Sequence, residues 1–153
     1  MYESFFGLRE RPFDLAPNPR YLFLGARQRE ALSTLRYALE GPRGLTLLTG
    51  EAGTGKTTLV QAGLSQIGVD KTQCVVLSNP TLPREGFYGL LSHAFGLSAD
   101  VAASKARFLV AFRHHVEERH ARGELTAILI DEAQGLSHEL LEEVRLLSNI
   151  ETP

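Results

Sequence analysis

Apolar and polar positions alternate in blocks along this chain, and the blocks come in two kinds. Gly44-Leu45-Thr46-Leu47-Leu48-Thr49, Thr72 to Ser78 (TQCVVLS) and Leu125 to Ile130 (LTAILI) are short and apolar throughout. That is the pattern of strands covered on both faces. Between them the apolar positions fall at helical spacing. Residues 27–40 carry Ala31, Leu32, Leu35, Tyr37, Ala38 and Leu39 mostly on one face, and Gly41-Pro42 ends that helix. A second helix runs from Lys56 to about Ile67 and is closed by Gly68; a third is opened by Pro83 and stopped after Phe95 by Gly96. A longer one, about Ser104 to Arg122, sets Phe108, Leu109, Phe112 and Val116 in one stripe. Ser137 caps the last, with Leu140, Leu141, Val144 and Leu147 facing inward.

The first 25 residues differ from all of this. Pro12, Pro17 and Pro19 stand among Phe5, Phe6, Phe13, Tyr21 and Phe23. Proline this dense forbids a long helix, so residues 1–26 read as an extended arm whose aromatics pack onto a core formed by residues 27–153.

Strands alternating with helices predict an α/β protein with a parallel sheet sandwiched between helices in three layers. Right-handed crossovers bring the ends of all three strands to one edge, where such folds bind ligands. Gly50 and Asp131 stand at two of those ends.

Composition narrows the classes. The 153 residues are 43% hydrophobic and 22% charged, with a formal net charge of -2, as in an ordinary soluble single domain. No overall basic field draws the chain to nucleic acid or acidic lipid, although a local basic patch stays open. The single cysteine, Cys74, has no partner for an internal disulfide, which fits a reducing compartment. The start, MYESFFGLRERPF, lacks the apolar run of a signal peptide, and no stretch approaches a membrane span. The expectation is a cytoplasmic chain with no membrane segment.

The chemistry concentrates in two places. Gly50-Glu51-Ala52-Gly53-Thr54-Gly55-Lys56-Thr57 matches G-x-x-x-x-G-K-[ST], followed by Thr58. Its glycines let successive N–H groups turn inward around an anion, and a helix starting near Lys56 aims its positive end at the same point. Lys56 then reaches the β- and γ-phosphates of ATP, and the Thr57 hydroxyl ligates Mg2+. About 75 residues later, Asp131-Glu132 follows the third apolar run. Asp131 is placed to hold the magnesium and Glu132 to activate the attacking water as general base. The adjacent pair favours hydrolysis over kinase chemistry, and the absence of N-K-x-D makes GTP the less favoured nucleotide.

Other positions read more plainly. Gln134 is a surface glutamine, with contact to a γ-phosphate or a neighbouring subunit as the alternative. His114, His115, Glu117, Glu118 and His120 have spacings that suit a metal but fit a solvated helix face better. Cys74 reads as packing, and Arg145 as a surface or ion-pairing arginine, action across a subunit interface being its alternative. Arg27, Arg29, Arg36 and Arg43 are ordinary in number.

With these residues in view, the whole chain resembles the N-terminal AAA+ ATPase domain of the ExeA-type general secretion pathway protein A family. The likeness rests on YESFFGLRERPFDLAPNP at 2–19, Tyr21-Leu22-Phe23-Leu24, GEAGTGKTT at 50–58, ILIDEAQGLS at 128–137 and the ending LLEEVRLLSNIET. It implies a P-loop NTPase fold of the AAA+ (ASCE) type, with Walker A at Gly50 to Thr58 and Walker B at Asp131-Glu132. By the same resemblance Leu22, Phe23, Leu24 and Gly25 line the adenine pocket. It further implies a homo-oligomer, a cytoplasmic ATPase with a later membrane anchor, and a partner protein in the secretion machinery. In that family a sensor strand, an arginine finger and a helical lid follow the equivalent of Ile150. The chain is therefore expected to be incomplete at its C-terminus and to bind nucleotide better than it turns it over. Two other readings stand beside this one: a transposition-helper ATPase acting with DNA, against which the net charge argues mildly, and a nucleotide-binding interaction module without turnover.

Overall fold

The computed structural model describes residues 2–9, 22–40, 44–67, 71–78 and 81–150. The helices are α1 (Tyr2–Phe5), α2 (Ala26–Glu40), α3 (Lys56–Ile67), α4 (Arg84–Ala94), α5 (Lys105–Ala121) and α6 (His138–Ser148). The strands are β1 (Thr72–Leu77) and β2 (Leu125–Ile130), and 3-10 turns cover Ala99–Ala103 and Ala133–Gly135.

Local chemistry sets the helix ends. Pro83, in extended conformation, precedes α4, and Gly96 takes a left-handed φ of 70° just beyond it. Gly123, also at φ 70°, ends α5. The Ser137 hydroxyl accepts the Leu140 N–H at 3.2 Å and so caps α6.

The strands pair in parallel, in register from Thr72 opposite Leu125 to Leu77 opposite Ile130. The Asp131 N–H adds one more bond, to the Leu77 carbonyl at 2.9 Å. One face of this sheet packs on α4, α5 and α6 through Val75, Leu77, Phe87, Tyr88, Leu91, Phe95, Phe108, Phe112, Leu140 and Leu147. The aromatics interlock: Phe108 lies 5.5 Å from Phe112 with nearly parallel rings and 4.8 Å from Tyr88. Cys74 sits within β1, where burial pushes its thiol up against the opposing pull of a backbone hydrogen bond at Leu129.

A carboxylate is sunk into this apolar cluster. Glu143 on α6 is 2% exposed, and Lys105 Nζ reaches its two oxygens at 2.8 and 2.7 Å. The Tyr88 hydroxyl donates to it and Arg84 Nε lies 3.0 Å away. Burial alone raises a carboxyl pKa, but here the Lys105 and Tyr88 hydrogen bonds and the Lys105 and Arg84 charges outweigh it, and Glu143 is held below the usual range. Tyr88 is pushed well above its ordinary value by burial and by the same carboxylate.

Three expectations need correction. The run Gly44 to Thr49 forms no strand; it pairs with neither β1 nor β2, and Leu45 and Leu47 are exposed. An apolar segment becomes a strand only where it lies against an open sheet edge, and this run pairs with neither free edge of the β1–β2 pair. The sheet therefore has two strands rather than three among the described residues. The arm starts with a helical turn, α1, rather than extended chain, and Phe5, Phe6 and Phe23 stand out in solvent; Phe13 and Tyr21 lie outside the described residues. Finally, Leu141 and Tyr37 are exposed, because each helix buries a stripe narrower than its apolar content. No helix among the described residues is long and apolar enough to cross a membrane.

Candidate functional site

The glycine-rich turn has the backbone its sequence requires. Gly53 and Gly55 adopt φ values of 76° and 82°, and nothing lies within 4 Å of where a Cβ would stand at either. Side chains rarely adopt this region, so glycine is needed for conformation and for clear space above the turn. Thr54 steadies the turn by donating from Oγ1 to the Glu51 carbonyl at 2.8 Å. Helix α3 starts at Lys56, directly after the turn, and its first N–H groups have no partner within the helix. Glu51, Ala52, Gly53 and Thr54 are exposed, while Gly55, Lys56, Thr57 and Thr58 are half-buried.

Lys56 does not point away into water. Its ammonium donates to the carbonyls of Gly50 and Glu51, each at 3.0 Å, so it crosses the mouth of its own turn. A polyanion placed in the turn would compete for that ammonium as a stronger, charged acceptor.

The second motif meets the first at one point. Thr57 Oγ1 donates to Asp131 Oδ2 at 2.9 Å across 74 residues of sequence. Asp131 reaches it because β2 ends there, held in register against β1. Its other oxygen, Oδ1, accepts the Glu132 N–H at 3.0 Å. A hydroxyl and a carboxylate converging on one point are the hard oxygen donors that Mg2+ selects, so the residues fit that ion. Thr57 and Asp131 would hold it, with nucleotide phosphates and waters completing its shell.

Glu132 is the unusual backbone in the site. At φ 54° and ψ 41° it is, among the described residues, the one non-glycine in the left-handed region. That costs on the order of 1–2 kcal/mol for a residue with a Cβ. The Gly135 N–H donates to its carbonyl at 2.8 Å, and Gln134 Nε2 donates to its Oε2. Gln134 is exposed, as expected of a surface glutamine, and touches the carboxylate singled out as the general base.

The remaining candidates separate. Leu22, Phe23, Leu24 and Gly25 lie just before α2; Phe23 is 84% exposed and Arg29 binds the Leu24 carbonyl at 2.9 Å. None of the four lines the groove of about 280 Å3 between α2 and the 44–49 run, whose walls include Arg27, Thr34 and Leu47. The α5 histidines do not converge, and no cluster of three or more metal-ligating side chains forms among the described residues. His114 faces Glu118 at 3.6 Å. His115 is no solvated residue: its Nε2 lies 2.9 Å from Gln73 Oε1 and its ring 5.6 Å from Phe95. Burial first, then the Arg119 charge, pulls His115 below its ordinary value. Arg145 makes a two-point pair with Glu142, at 2.7 and 2.8 Å, on the outer face of α6. Sequence reasoning missed Glu143, whose only signal was a carboxylate on the apolar stripe of α6.

General secretion pathway protein A of Aeromonas hydrophila is 40% identical over 152 residues, which is 99% of this chain and 28% of that protein. The chain thus spans little more than a quarter of the curated relative it matches. No solved structure matches it. Residues 39–153 match the AAA domain, taking in the glycine-rich turn, both strands and the Asp131-Glu132 pair. The chain belongs to the AAA domain family.

Proposed function

We propose that this chain binds ATP with Mg2+ at Gly50 to Thr58 and hydrolyses it, with Asp131 helping to hold the ion and Glu132 acting as general base. The observation that carries this reading is the 2.9 Å contact of Thr57 with Asp131, which joins two motifs far apart in sequence. The turn at Gly53 to Gly55 and the first N–H groups of α3 receive the phosphates. Lys56 exchanges its two carbonyl partners for the β- and γ-phosphate oxygens. Magnesium, when bound, neutralises developing charge on those oxygens. A water forms its bond to the γ-phosphorus as the bond to the β–γ bridging oxygen breaks. Its proton passes to the Glu132 carboxylate, leaving ADP and inorganic phosphate.

The wider role rests on the relative and on the N-terminal resemblance. In this reading the chain is an ATPase module of secretion or envelope-assembly machinery, working on the cytoplasmic side as a homo-oligomer with a partner protein of that machinery. Residues 1–26 are its arm, residues 27–153 its ATPase core, and Leu22 to Gly25 contribute to the adenine pocket.

Calorimetric titration with Mg2+ and a non-hydrolysable ATP analogue tests the site. Saturable binding is expected, weakened at least about tenfold in Lys56→Ala, since a lost charge-assisted contact is worth roughly 1.5–3 kcal/mol. A folded chain that binds nothing, or binds equally well without Lys56, overturns the reading.

A further inference from the structure

The start of the arm and the groove beside α2 are both open apolar features, and one chain carries them both. Tyr2, Phe5 and Phe6 stand at i, i+3 and i+4 around α1, so they share one side of the turn. Phe5 and Phe6 meet edge to face, with ring centroids 4.9 Å apart and planes at 85°. The turn is held by its own backbone: the Phe6 N–H donates to the Tyr2 carbonyl at 3.0 Å, and the Leu8 N–H to the Glu3 carbonyl at 2.8 Å. Even so, Phe5 is 83% and Phe6 68% exposed. An aromatic pair on a turn already ordered loses little conformational freedom when a partner covers it.

The groove of about 280 Å3 is the complementary feature. On the α2 side Ala31 and Thr34, small side chains one turn apart, leave room; on the other side Leu47, 77% exposed, and Leu48 supply apolar surface. Exposed Arg27 and Glu30 also line it, while the arm carries Glu3 and exposed Arg9, so each side offers an acid and a base to the other. Among the described residues nothing covers the aromatic pair, and it does not sit in the groove of its own chain. We propose that the groove receives the Phe5–Phe6 pair of a second copy of this chain, and that two copies exchange arms in this way to form a closed dimer. A phenylalanine buries roughly 150–250 Å2, so the two rings bring about 300 Å2, and one arm–groove contact covers about 600 Å2 counting both sides. That is too small for a stable interface, whereas the two contacts of a reciprocal exchange reach about 1,200 Å2, the lower end of the stable class. The contact uses neither the glycine-rich turn nor the Asp131-Glu132 pair, so it goes beyond the ATPase reading and does not depend on it.

Sedimentation velocity of the whole chain without nucleotide, at concentrations up to the high micromolar range, tests the exchange. Wild type is expected to pass from monomer to dimer as concentration rises. Phe5→Ser with Phe6→Ser, and separately Thr34→Glu in the groove, are each expected to raise the dissociation constant at least about tenfold, the effect of losing an apolar anchor. All three positions are exposed, so both variants keep the fold, which circular dichroism checks. Mixed in equal amounts, the arm variant and the groove variant retain one intact arm and one intact groove between them. They are expected to form a mixed dimer more readily than either associates alone. Val110→Ser, which removes an apolar side chain 73% exposed on α5, leaves association unchanged. A wild-type chain that stays monomeric overturns the proposal, whether its aromatics remain in solvent or fold onto their own groove. So does association that survives either variant, or a mixture no more associated than its parts. Equal weakening by Val110→Ser overturns it as well, because that marks general stickiness. Lys56→Ala is expected to dimerise like wild type, so a failure of the nucleotide site and a failure of this contact are read separately.

Discussion

The two halves of the site stand on unequal foundations. Asp131 and Glu132 leave a strand whose sheet is packed on α4, α5 and α6 through ten buried apolar residues and a buried carboxylate cluster. The glycine-rich turn is carried by α3, which packs on α2 around Leu32, Leu35, Leu59, Val60 and Ala62, and by the unpaired 44–49 run. The acidic half is thus anchored in a core, while the phosphate half is a helix pair with an exposed apolar flank. Among the described residues the two halves meet at the Thr57–Asp131 bond and at Gly44, where an added Cβ would stand 2.0 Å from the Ser148 carbonyl. A ligand spanning the two halves adds a link between them, and Mg2+ with nucleotide would raise stability by mass action.

The sharpest break of this contrast comes from core truncation. Phe108→Ala, at a residue with no exposed surface, is expected to destabilise by about 3–5 kcal/mol, against about 2–3 kcal/mol for Leu59→Ala. Denaturant unfolding followed by circular dichroism measures both, and equal losses would show that the two halves share one core. Glu143→Ala comes next. It leaves the Tyr88 hydroxyl without its acceptor and removes a partner from Lys105 and Arg84, both about 40% exposed, and is expected to cost about 1–3 kcal/mol. Replacing Glu143 and Tyr88 together by Leu and Phe should recover much of that loss.

The same carboxylate predicts the acid limb of stability. Its folded pKa is depressed, so its contribution is fully present above the ordinary carboxylate range and is lost as pH falls through the lower folded value. His115 has the same sign, because its folded value is also depressed, and its contribution declines as pH drops below about 6.5. Thermal melts from pH 7 to pH 3 should show a shallow decline and then a steep one. The steep limb should become shallower in Glu143→Gln, with Glu124 and Glu142, also held low, supplying what remains.

At the seam, Gly44→Ala is expected to cost about 1–3 kcal/mol, since the clash is with backbone that cannot swing aside. It should also weaken nucleotide binding more than the same loss of stability elsewhere does. Smallest is Gly89→Ala within α4, where nothing lies within 4 Å of the added methyl. Helix propensity alone predicts a gain of about 0.5–1 kcal/mol, confined to the already firm half.

Much of this was legible without coordinates because it is written in short-range chemistry. Pro83, Gly96 and Ser137 set helix ends through groups within a few residues of themselves, so their roles follow from order along the chain. Gly53, Gly55, Lys56 and Thr57 are similar: a turn, a helix start and a charge in fixed succession point to phosphate whatever surrounds them. The stripe of Phe108, Phe112 and Val116 also declared its face, as period and burial coincide there.

What escaped the sequence depends on partners distant along the chain. The 44–49 run has every local mark of a strand, yet among the described residues it pairs with no other strand. The aromatics of the arm have the composition of core residues, but Phe5, Phe6 and Phe23 meet no surface that would cover them. Glu143 looks like any helix carboxylate until α4 and α5 bring Arg84, Tyr88 and Lys105 around it. The residue types and their spacing determined the two motifs and the class of fold. Tertiary structure alone decided that Thr57 touches Asp131 and that Glu132 rests on Gln134, because a hydrogen bond needs its two groups within about 3 Å and only the folded chain sets that separation.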